Sequence, residues 1–237
     1  LVRSRGLGDV YKRQITPVAK DRKLTVTINT YGEDIEGVAY KIRSLEDKSL
    51  IENTEVSDYD NAGSSINVTF NIKNLLDTGK EYALEIVLKT KKHEAVYYYT
   101  RIVYGVDYDL QKKLDFVMDF NACTFDDSRL KDIAGYLETS SSGDNTNYGK
   151  VNINCSLSQV GWGDLDPYVE SDIMPEVISV DDDVAILRLS YRVGAANDYS
   201  SSDTYTVSEY YRIRQTNSGF YLLNFEREMN QVCLLYT

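Results

Sequence analysis

The sequence predicts two domains: an all-β sandwich over 15–106, then an α+β roll over 107–232 in which two helices close one face of a curved antiparallel sheet. Three observations carry this. Six short segments between Leu24 and Tyr104 alternate apolar and polar residues at period 2, the mark of half-buried strands. The pattern changes at 105–109, after which Leu110, Leu114, Val117 and Met118 recur at helical spacing. Three longer alternating runs follow at 184–193, 204–215 and 220–228.

In chain order, 15–23 reads as a lead-in containing Pro17. Strands are expected at 24–30, 38–44, 50–56, 66–72, 82–89 and 95–104, with turns at Gly32 to Gly37, Glu46-Asp47-Lys48 and Lys91-Lys92-His93-Glu94 and a loop at 57–64. Before the fifth strand lies Leu75-Leu76-Asp77-Thr78-Gly79-Lys80-Glu81-Tyr82. A Leu, a Gly and then a Tyr opening the next strand resembles the tyrosine corner of immunoglobulin-like and fibronectin type III-like sandwiches, in which the hydroxyl bonds back to the corner's own backbone.

In the second half, 109–121 is expected to be helical. Thr124 with Asp126 and Asp127 reads as the start of a second helix, acids in its first turn and Leu130, Ile133, Ala134 and Leu137 on its apolar face. A strand is expected at 151–157, a break at Gly161-Trp162-Gly163, a short strand at 176–180 and a turn at Asp181-Asp182-Asp183. On the three long strands, one face collects Ala185, Leu187, Leu189, Tyr191, Val193, Tyr205, Val207, Tyr211, Ile213, Tyr221, Leu223 and Phe225. Asn217-Ser218-Gly219 supplies a residue tolerant of positive φ for the last hairpin. Helices on a curved antiparallel sheet resemble the cystatin-like or NTF2-like roll, a likeness of fold that says little about function.

The stretches Tyr40-Lys41-Ile42-Arg43-Ser44-Leu45, Asn74-Leu75-Leu76-Asp77-Thr78-Gly79, Tyr136-Leu137-Glu138-Thr139, Ser142-Gly143-Asp144-Asn145-Thr146-Asn147 and Glu209-Tyr210-Tyr211-Arg212 give 15–232 a resemblance to an uncharacterised family of membrane-anchored extracytoplasmic proteins of Gram-positive anaerobes. The resemblance implies a cell-surface location, an N-terminal span ahead of the segment and further β-rich sequence after it. It implies no catalytic residue. The two ends resemble something else. Residues 4–14 and 233–237 are similar to translations, in opposite orientations, of a transposon-end adapter used to prepare sequencing libraries, so 1–14 and 233–237 are expected to be artefact.

The chain carries 26 basic and 37 acidic residues, a formal charge of −11; without the adapter-like ends the charge becomes −14. That balance argues against nucleic acid, whose phosphates select basic surfaces. No apolar run is long enough to span a bilayer, so contact with a membrane is expected only through the missing N-terminal anchor. Within 15–232 the cysteines are Cys123 and Cys155, read as two small buried thiols, with a bridge as the alternative in an oxidising compartment.

Chemistry is sparse. The one histidine, His93, lies in a charged turn, which leaves nucleophilic triads and His/Cys zinc sites without a base or ligand set. Phosphate-binding glycine loops and nucleophile elbows are missing from the sequence. Asp144-Asn145-Thr146-Asn147-Tyr148-Gly149 departs from an EF-hand loop at Thr146 and Tyr148. Asp181-Asp182-Asp183 is a more plausible anionic spot, but a solvated turn is the better reading. No metal and no cofactor are expected.

Two places stand out. Alternation puts Glu209 on the core face with Tyr205 and Tyr211: either a pocket acid binding a small molecule or glycan, with Trp162 as a further contact, or an acid paired with an arginine. The opposite face carries Arg188, Arg192, Arg212 and Arg214, with Glu226 on the third strand. That is either a docking surface for an acidic protein or cell-surface polymer or a solvated face of cross-strand ion pairs. The expectation is a non-enzymatic extracytoplasmic spacer and interaction module. An NTF2-like ligand pocket and part of a carboxylate-based hydrolase are the alternatives.

Overall fold

A computed structural model describes residues 15–59, 65–196 and 202–232. The adapter-like ends, 4–14 and 233–237, lie outside the described residues, as does most of the predicted loop 57–64. About half of the described residues are in strands. The chain divides into two compact units, Leu1–Tyr108 and Asp109–Thr237.

The first unit holds β1 (Ile15–Val18), β2 (Lys23–Asn29), β3 (Ile35–Ser44), β4 (Leu50–Val56), β5 (Ser65–Asn71), β6 (Glu81–Thr90) and β7 (Val96–Tyr104). One sheet runs β1-β7-β6-β3-β4; the other is the antiparallel pair β2-β5. The stretch expected as a lead-in is therefore partly strand. β1 pairs in parallel with β7 at the sheet's margin, where Pro17 interrupts no interior ladder. Alternation makes each sheet one-sided: Val38, Tyr40, Ile42, Leu84, Leu88 and Ile102 from the larger meet Leu24, Ile66, Val68 and Phe70 from the smaller in one core. At the turn before β6, Gly79 takes φ 75° and the Tyr82 hydroxyl accepts the Asp77 N–H at 2.8 Å.

The second unit holds α1 (Leu110–Thr124), a 3₁₀ run (Leu130–Tyr136), β8 (Lys150–Asn152), α2 (Leu157–Val160), a 3₁₀ turn (Gly163–Leu165), β9 (Tyr168–Val169), β10 (Met174–Val180), β11 (Val184–Ala196), β12 (Ser202–Thr216) and β13 (Gly219–Gln231). The antiparallel sheet runs β10-β11-β12-β13-β8, with β9 on β11. α1 covers one face: Phe120 packs on Tyr211 and Phe225, and Phe116 on Phe220. Among the described residues no helix is long and apolar enough to cross a membrane.

Three expectations are corrected. Thr124 ends α1 instead of opening a second helix, its hydroxyl returning to the Asn121 carbonyl at 2.8 Å. The second helix is only a 3₁₀ run. Asp126 takes both the amide and the hydroxyl of Ser128 in a side-chain-to-backbone turn, and Gly135 weakens further propagation. The strand expected at 151–157 stops at Asn152, whose side chain accepts the Asn154 N–H at 2.9 Å and turns the chain into α2; Val151, Ile153 and Cys155 stay buried.

The core face of β13 also differs. Arg212 pairs with Asn224 and Ile213 with Leu222, so Leu223 is an extra residue in a β-bulge. The alternation shifts there: Leu222 is buried, Leu223 half-buried and Tyr221 exposed on the opposite face.

Candidate functional site

The sheet of the second unit carries both sequence-derived candidates, one on each face. On the covered face, Glu209 of β12 lies directly opposite Arg227 of β13, and both are fully buried. Glu209 Oε1 is 3.2 Å from Arg227 Nε, close enough for an ion pair but poorly aligned for a hydrogen bond, so both atoms lack one. The other carboxylate oxygen is better held. It accepts from the Tyr211 hydroxyl at 2.6 Å and from Asn121 Nδ2 at 2.8 Å, and that amide also reaches the Tyr191 hydroxyl at 3.1 Å.

Arg227 fixes the end of α2 and the turn after it. One terminal nitrogen donates to the Val160 carbonyl, and the guanidinium lies 3.6 Å from the centroid of the Trp162 ring. Trp162, at φ 69°, is buried and donates its indole N–H to Thr124 Oγ1 at 3.3 Å. The cluster thus ties α1, the 160–162 loop and strands β11, β12 and β13 to a single charged pair. Burial, and after it the Glu209 charge, pushes the Tyr191 and Tyr211 hydroxyls well above the ordinary tyrosine range, so both stay protonated donors.

Of the residues expected at a pocket, the structure brings Glu209, Tyr211 and Trp162 together through Arg227. Tyr205 pairs across the sheet with Val193 and Gln231, two residues beyond the row opposite Val207. Around the carboxylate the space is taken by the chain's own groups. Phe120, Tyr211 and Phe225 pack with centroids 5.2 to 5.7 Å apart. Sequence reading missed Arg227 and Asn121. Arg227 was detectable, since it follows Phe225 at period 2 and so faces inward.

On the open face, Arg188 pairs with Glu176 of β10 at 3.4 Å. Arg192, Arg212 and Arg214 are exposed, and among the described residues none makes an ion pair. Arg212 and Arg214 are neighbours on one strand. Tyr221, 52% exposed, lies across from Arg214, and Asn224 across from Arg212. Glu226, also on this face, lies opposite Tyr210 and accepts from Asn224 Nδ2 at 2.9 Å.

The charge around this face is lopsided. Residues 109–237 hold ten basic and twenty-one acidic residues, whereas 1–108 balance at sixteen of each, so the formal −11 lies entirely in the second unit. Arginines left without acids in such a unit are not short of local partners by composition. Acids do share their face: Glu176 pairs with Arg188, and Glu226 accepts from Asn224.

The two acidic loops use their oxygens internally. Asp144 accepts from Thr146 and Asn147, and Asn147 caps Gly149. In the Asp181–Asp183 turn the Asp181 carboxylate takes the amides of Asp183 and Val184. The buried Lys113 ammonium donates to the Asp181 and Asp182 carbonyls at 2.6 and 2.9 Å. A tethered cation thus sits on that turn, its own pKa lowered by burial. Cys123 and Cys155 are free and buried.

The chain matches no protein-family model, and no curated protein matches it.

Proposed function

We propose that this chain is a non-enzymatic interaction and spacer module of a larger extracytoplasmic protein. In this reading an immunoglobulin-like sandwich precedes an NTF2-like α+β roll, and the open face of the roll's sheet docks an acidic macromolecule. The observation that carries the docking reading is the pair Arg212 and Arg214, exposed side by side on β12 without an ion pair among the described residues, in a unit with two acids for every base. Guanidinium groups fixed on a rigid strand favour bidentate carboxylate or phosphate contacts. At physiological salt the screening length is about 8 Å, so the unit's overall negative charge acts weakly at a distance while close arginine contacts persist.

The sandwich reading is supported by two sheets sharing one core, by the parallel β1–β7 pairing, and by the Tyr82 hydroxyl bonded to Asp77. The roll reading is supported by α1 lying across one face of the antiparallel sheet. Surface display and an N-terminal anchor rest on the family resemblance; the intact gene is expected to encode a membrane span upstream of Ile15.

Retention of the purified chain on immobilised poly-L-glutamate, compared with poly-L-lysine, tests the docking reading. Retention on poly-L-glutamate that salt releases is expected. Retention on poly-L-lysine alone would mean that the acidic surface dominates and the arginine face docks nothing.

A further inference from the structure

The first unit contains a groove that the docking face does not involve. It encloses about 350 Å³ beside the end of β4 and along β5. We propose that this groove binds a neutral sugar unit, a mono- or disaccharide portion of a glycan.

The groove's frame is rigid. The Tyr40 hydroxyl lies 2.5 Å from Glu52 Oε1 and 2.8 Å from the Asn71 carbonyl. Glu52, buried, also receives the Thr54 hydroxyl and the amides of Lys73 and Asn74. These contacts bind β4 to the segment after β5 at one end of the groove. Tyr59, held by a single bridge to Val68, brings a half-buried phenol ring to one wall.

The lining has the chemistry of sugar recognition. Asn67 commits its side-chain oxygen to Thr27, and its amide nitrogen makes no hydrogen bond among the described residues. The Asn71 carboxamide, Asp58 and the Lys73 ammonium make none there either, although all line the groove. Donors and acceptors therefore line the groove beside the Tyr59 ring. That arrangement suits a ring that presents vicinal hydroxyls at its edge and C–H groups on its face. One lysine against Glu55 and Asp58 does not suit a phosphate or nucleotide. A lining this polar does not suit a lipid. The volume is near the lower end of the roughly 300–1,000 Å³ typical of ligand pockets, which limits the occupant to one or two rings.

The test is an amide-resolved NMR titration of the full chain with cellotetraose, maltotetraose, mannotetraose and chitotetraose, each to about 10 mM, a range that detects the weak affinities of small ligands. At least one is expected to shift signals from residues 54–59 and 67–73. Tyr59→Ala and Asn71→Ala should each weaken that sugar at least tenfold with the rest of the spectrum unchanged. Should Tyr59→Ala fail to fold, the exposed Asn71→Ala still decides. Tyr97→Ala, on the outer face of the larger sheet, should bind as before. The proposal is overturned if none of the four sugars shifts these signals. Shifts that survive both groove substitutions, or a groove perturbed only by an extended peptide, overturn it equally.

Discussion

Glu209 and Arg227 face each other across β12 and β13 with their charged groups 3.2 Å apart and no exposure to solvent. A buried pair of this kind pays a large desolvation penalty, so its two halves depend on each other far more than the fold depends on the pair. Glu209→Ala or Arg227→Ala alone is expected to destabilise the second unit by about 3–5 kcal/mol, by stranding the other charge. The double replacement Glu209→Leu with Arg227→Met should cost less than the two single losses summed, because neither charge is left stranded. Urea unfolding followed by the fluorescence of Trp162, the chain's one tryptophan, reads both, since its ring lies on the guanidinium. Additive single losses in the double variant would contradict the pairing.

Tyr82 and Asp77 provide a second measurable link. The hydroxyl accepts the Asp77 amide at 2.8 Å, and the Tyr82 side chain is buried. Tyr82→Phe keeps the ring and strands that amide, which should cost about 1–3 kcal/mol. Thermal melting of the variant checks this, and an unchanged melting temperature would mean that water replaces the hydroxyl.

Glu52 links the acid stability of the first unit to a buried carboxylate. Burial pushes its pKa up, but hydrogen bonds from Tyr40, the Asn74 amide, Thr54 and the Lys73 amide outweigh that and leave it below the ordinary 4.5. A carboxylate with a lowered folded pKa contributes stability that is present above its unfolded value and is lost as pH falls through the folded one. The first unit should therefore lose stability below about pH 4.5. Glu52→Gln should flatten that loss while lowering stability at pH 7. Chemical denaturation at pH 7, 5, 4 and 3 separates the two effects.

Much of the fold was legible because alternation is local. The strands of the first unit and the three long strands of the second announce their faces residue by residue. What escaped depends on contacts distant in sequence or on side chains competing with the backbone. β1 is too short to show a period, and its parallel partner lies more than eighty residues away. Asp126 and Asn152 divert their own backbones where apolar spacing alone implied regular elements. The bulge at Leu223 moves Tyr221 to the open face, which no periodic rule foresees.

The candidate sites divide the same way. Alternation alone put Glu209 inside and the four arginines outside, because neighbours on a strand must point in opposite directions. The identity of Glu209's surroundings needed the fold: Asn121 comes from a helix 88 residues earlier, and Trp162 arrives on a loop. The groove beside Tyr59 was not legible, because β4 and the segment around β5 are joined there by side-chain contacts from Glu52 and Tyr40 and by an isolated bridge, none of which follows a period.

The central claim, that the open arginine face docks an acidic partner, rests on Arg212 and Arg214. Its most direct measurement is the affinity of fluorescently labelled poly-L-glutamate for the chain and for Arg212→Glu with Arg214→Glu, by anisotropy at physiological salt. Both substitutions are on exposed positions and should change stability by less than about 1 kcal/mol. The account predicts at least a tenfold loss of affinity in the variant. Equal affinity of the two proteins, or no binding by either, would contradict it.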